Sequence, residues 1–93
     1  MEVSQLDLWT LLLSCVRYSM GRRTYMSTYA PELVQRYGAD LTWEQIKQIG
    51  EEVDFELRIN EKHPGHMGMD CDEKSWRNFR DWCLAEAMRR STK

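Results

Sequence analysis

Between Gln5 and Tyr18 the polar side chains fall at Asp7, Thr10, Ser14 and Arg17, a spacing of three, four and three. On a helix this traces one narrow wet stripe, and leaves Leu6, Leu8, Trp9, Leu11, Leu12, Leu13, Cys15, Val16 and Tyr18 for other elements to cover. A helix apolar over most of its circumference is expected at the centre of a bundle. Ser4 followed by Asp7 supplies a capping start, and Gly21 a stop.

A second helix is expected between Thr24 and Tyr37. Pro31 belongs in a first turn, which favours a start at Ser27 or Thr28, and Gly38 ends the segment. Thr42-Trp43-Glu44-Gln45 is a capping box that opens a third helix on Trp43, Ile46, Ile49 and Val53. From Val53 to Asn60 apolar and polar residues then alternate strictly, which is the signature of a strand. No other segment alternates convincingly, so a strand here has no partner in the chain for its backbone groups. Helix continuing past Gly50 is the expectation, with a short strand near 53–59 as the alternative. Glu61 to Asp72 reads as a loop with Pro64, Gly65 and Gly68. Asp70 or Asp72 caps a last helix from Glu73 to Arg90, whose inner stripe is Trp76, Phe79, Cys83 and Ala87, widened by Leu84 and Met88. Trp82 falls off its centre. The fold class is therefore all-α: a single domain over 1–93, a compact bundle of about four helices around a central buried N-terminal helix.

Composition sharpens this picture. With 42% hydrophobic and 30% charged residues the chain is globular rather than disordered. Four Trp, four Tyr and two Phe in 93 residues exceed what four short helices can bury, so some rings are expected at an interface. A net charge of -2 argues against a general nucleic-acid binder. Three cysteines without framework spacing, no basic leader, and an apolar run well short of the roughly 20 residues needed to span a membrane point to a reduced cytoplasm and no membrane.

Each candidate site has a plain structural alternative. His63, His66 and Cys71, with Asp70 and Asp72, carry zinc-type donors, but H-x2-H-x4-C is not a finger spacing, and helix capping accounts for the aspartates. No metal or cofactor is assigned. Arg17, Arg22, Arg23 and Tyr25 could hold a phosphate or carboxylate; alternatively Arg17 pairs with an acid on another helix. Glu51, Glu52, Asp54, Glu56 and Glu61 could imitate nucleic-acid phosphates towards a basic protein, or simply form a solvated helix face. A catalytic Cys or His needs a base and an orienting group, and no spacing supplies them, so no enzyme is expected. Trp82 joins the exposed rings as a binding candidate.

Arg17-Tyr18-Ser19-Met20-Gly21-Arg22-Arg23-Thr24-Tyr25 resembles an RYxxGRxTY-like signature of small proteins encoded by bacteriophages and prophages. Gly68-Met69-Asp70-Cys71-Asp72 followed by Trp76 is similar to the turn with which those proteins enter their last helix. The resemblance implies a phage accessory protein in a bacterial host cytoplasm, binding a host protein stoichiometrically, with a CRISPR-Cas effector or another defence complex as the expected partner. It also implies that the two turns lie close, so that Arg17 or Arg22 would pair with Asp70 or Asp72. The competing readings are a nucleic-acid-binding regulatory module that uses the arginines, and a metal-binding domain on the 63–72 loop. The surplus rings leave room for a homodimer.

Overall fold

The caps and periodicities place four helices in the computed structural model, which describes residues 4–20, 26–67 and 72–92. They are α1 (Gln5–Ser19), α2 (Met26–Tyr37), α3 (Trp43–Lys62) and α4 (Glu73–Ser91), with one 3-10 turn at Gly38–Asp40 between α2 and α3. The described residues contain no strand. Among the described residues no helix is long and apolar enough to cross a membrane.

The starts of α1, α3 and α4 each have a side-chain oxygen where orphan N–H groups need one. Asp7 N–H donates to Ser4 Oγ at 3.1 Å. Gln45 N–H donates to Thr42 Oγ1 at 3.2 Å while Thr42 N–H donates to Gln45 Oε1 at 2.9 Å, completing the box. Of the two candidate caps for α4, Asp72 is the one that serves, since Ser75 donates to it from N–H at 3.2 Å and from Oγ at 2.7 Å. These bonds hold the Asp72 carboxyl below its usual range. α2 begins at Met26, slightly before the expected Ser27 or Thr28, and so carries Pro31 in its second turn rather than its first.

α3 absorbs the alternating stretch. Ile46, Ile49, Val53, Leu57 and Asn60 are buried at spacings of three, four, four and three, which is one helical face. Phe55 points outward at 62% exposure, so the alternation records an exposed aromatic on a helix and not a strand. Against this face lies α4, with Trp76, Phe79, Cys83 and Ala87 buried as their spacing requires. Met88 departs from that stripe: it is 72% exposed. At Gly50 the two helices approach closely. A Cβ there would sit 2.9 Å from Leu84 Cδ2 and 3.0 Å from Cys83 Cβ, so only glycine permits the approach.

The expectation that α1 is the buried axis is overturned. Leu12, Leu13, Val16 and Ser19 face the core, but Leu6 and Leu11 are 66% and 59% exposed, and Tyr18 is exposed as well. The physical reason is thickness. The molecule extends 37 × 32 × 15 Å. Two packed layers of helices, with axes about 8–10 Å apart, already fill the short dimension. A third layer does not fit, so no helix is wrapped on all sides, and α3 is the element that buries most.

Two polar contacts close the ends. Asn60, buried on the inner face of α3, accepts from Met67 N–H at 2.9 Å and donates to the Glu73 carboxylate. It thereby folds the 63–67 segment down so that Met67 enters the core. At the other end Arg90 of α4 donates to the carbonyls of Gly38 at 2.9 Å and Leu41 at 2.8 Å, fastening the turn between α2 and α3.

A wider side chain at Gly50 should force α3 and α4 apart. Gly50→Val is expected to cost roughly 1–3 kcal/mol as overpacking, read as a lower urea midpoint. Gly38→Ala, whose Cβ meets Leu41 Cδ1 at 3.4 Å in ordinary contact, should leave that midpoint nearly unchanged.

Candidate interaction surface

The acidic run of α3 does not form one face. Successive residues turn by about 100°, and the chain's own cations take most of the carboxylates. Arg17 grips Glu52 in a two-bond fork, Nε to Oε1 at 2.6 Å and Nη2 to Oε2 at 2.8 Å. Gln48 Nε2 adds a third bond to Glu52 at 2.9 Å. The Arg17 bond, opposed by partial burial and helped by Gln48, holds the Glu52 carboxyl below its usual range; the same bond raises Arg17. Asp54 turns to the other side of α3, where Arg58 meets it at 2.7 Å and Arg80 of α4 at 3.0 Å. Glu56 meets His66 from the loop. A phosphate-like row of free charges is therefore not what this stretch presents.

Arg17 thus pairs with α3, as the structural alternative had it, and not with Asp72, which is occupied by Ser75. Arg22, Arg23, Tyr25, Asp70 and Cys71 lie outside the described residues. Arg17, Met20, Glu52, Glu56 and His66 line one cavity of about 320 Å³, so the structure brings together residues from the arginine, acidic and histidine candidates. One guanidinium faces two carboxylates there, so the cavity offers no positive field for an anion. His63 is exposed and away from that lining. Among the described residues no three His, Cys, Asp or Glu side chains gather as metal ligands.

The arginines of α4 are equally engaged. Arg77 pairs with Glu73 at 2.7 Å, Arg80 with Asp54 and Asp81, and Arg89 and Arg90 share Glu86. Cys83 is fully buried, and burial pushes its thiol up to about 12, so it stays protonated and inert. Trp82 is half-buried and stacks on Phe79 with ring centroids 6.3 Å apart, which makes it more a wall of the core than an anchor.

What remains open to a partner is apolar. Leu11 stands exposed midway along α1, with half-buried Leu8 three residues before it and Cys15 four after. Phe55, with Gln48, Glu51, Glu52 and Glu56, lines an open hollow of about 450 Å³. Trp43, Lys47, Leu84, Ala87, Met88 and Ser91 line another of about 300 Å³. Sequence reasoning missed Leu11, Phe55 and Met88 as surface groups because each continues an apolar pattern that a thicker bundle would bury. No family model matches the chain, and neither curated proteins nor solved structures give a match.

The Arg89 and Arg90 hydrogen bonds lower the Glu86 carboxyl from 4.5 to about 2. A depressed folded value means that the unfolded chain binds the proton first, so this contribution is complete above about pH 4.5 and is lost as pH falls towards 2. Melting temperature should therefore drop across that window, and Glu86→Gln should flatten the drop.

Proposed function

We propose that the protein acts by stoichiometric binding to another protein and catalyses no reaction. Its partner is a host protein of a bacterial cytoplasm, and the resemblance to phage-encoded proteins suggests an effector complex of host defence, such as a Cas complex, which it would inhibit. The observation that carries the binding reading is Leu11, 59% exposed at the middle of α1. With half-buried Leu8 and Cys15 on either side of it, it makes an apolar stripe whose middle stands in solvent. Apolar side chains placed this way on a helix are typical of a groove-docking face. The polar chemistry supports the same choice: the described arginines are held in ion pairs or on carbonyls, which weakens the nucleic-acid reading.

Affinity capture from bacterial lysate tests this directly. A discrete, nuclease-resistant complex with one large host protein is expected. Leu11→Glu should abolish it while shifting folding stability by no more than about 0.5 kcal/mol, as for other exposed positions. Salt-sensitive binding to duplex DNA or RNA, or a complex indifferent to Leu11→Glu, would contradict the proposal.

A further inference from the structure

We propose that the chain forms a two-fold dimer through the outer face of α3, packed antiparallel against α3 of a second copy. Trp43, Lys47, Glu51 and Phe55 follow one another at four-residue spacing and form one ridge on that face. All four are exposed, Trp43 by 38% and Phe55 by 62%. The ridge runs about 18 Å at 1.5 Å per residue. Its order is aromatic, cation, anion, aromatic.

That order is self-complementary. A two-fold axis across the ridge, midway between Lys47 and Glu51, sets Lys47 beside Glu51 of the second copy and Glu51 beside Lys47. The same axis sets each Phe55 against Trp43 of the other chain. Isologous dimers require this reciprocity. Both charges are also free to pair. Glu52, Asp54, Glu56 and Arg58 of the same helix are matched within the chain, whereas neither Lys47 nor Glu51 has an ion pair or side-chain hydrogen bond among the described residues.

Shape completes the match. Beside Trp43 the hollow walled by Leu84, Ala87 and Met88 is open and mostly apolar, about 300 Å³, and Phe55 of the second copy is the ring placed to enter it. Entry also covers Met88, the most exposed large hydrophobic side chain of the described residues. Each monomer thus carries one knob and one hole on a single ridge, and the pairing fills both twice. This face is separate from Leu11 on α1, and the dimer does not depend on the host-partner reading.

Sedimentation equilibrium of the purified chain, with 11.1 kDa as the monomer mass, reads the result. Wild type should sediment at twice that mass. Lys47→Glu and Glu51→Lys, each placing like charges face to face, should weaken the dimer at least tenfold, as should Phe55→Glu. The double variant Lys47→Glu, Glu51→Lys keeps the complementarity with its sign reversed and should restore the dimer. All three positions are exposed, and thermal melts of each variant confirm folding. A wild-type monomer at millimolar concentration overturns the proposal. So do single charge reversals that leave the dimer as strong as before, or a double reversal that stays monomeric. A chain monomeric alone whose capture of a host protein is lost on Phe55→Glu also overturns it, because the ridge then serves a foreign partner. Leu11→Glu should lose host capture and keep the dimer, so the two readings fail separately.

Discussion

The close approach of α3 and α4 at Gly50 sets the terms for the rest of the molecule. Without a side chain at that point, Cys83 Cβ and Leu84 come within the distance a single methyl would occupy. Their stripes then interlock along almost their whole length, Ile46 to Leu57 against Trp76 to Ala87. With these two helices locked as the thick part of the core, α1 and α2 are added at the side and not wrapped around an axis. The 15 Å thickness of the molecule follows, and so does the exposed apolar surface on α1.

This geometry explains how the charges are distributed. α3 has neighbours on two flanks, so its acids divide between them: Glu52 to Arg17 of α1, Asp54 to Arg80 of α4, Glu56 to His66 of the loop. Acids gathered in the middle of the chain, with arginines towards its two ends, become a set of local pairs with little long-range field. Pairs this exposed contribute about 0–1 kcal/mol each. Their effect is to fix which faces meet, and the uncovered apolar faces are left as the parts available for binding.

Local signals are legible where the physics is local. The Thr42 box, the Ser4 and Asp72 caps, and the core spacing of α4 are all written in neighbouring residues and appear in the fold as read. The alternation from Val53 to Asn60 yields to the same logic, since a strand without a partner leaves its backbone unpaired. Elsewhere the chain misleads for a reason of scale. Leu6, Leu11 and Met88 look like core because periodicity reports a face, not whether anything lies opposite it. Asn60 is legible in principle as the next position of the buried stripe, yet its role depends on Met67, whose burial only the folded loop reveals. As for function, the arginine turn at 21–25 and the segment 68–71 lie outside the described residues, and the surface singled out instead, Leu11 with the α3 ridge, has no motif.

The central claim is that α3 with α4, and not the apolar N-terminal helix, forms the stable axis. Native-state hydrogen exchange measures it helix by helix. The slowest amides should lie in α3 near Ile49 to Val53 and in α4 near Phe79 to Cys83, exchanging only through global unfolding. Amides of α1 should exchange at least tenfold faster through local detachment. An α1 as protected as α3, or more so, would contradict the account.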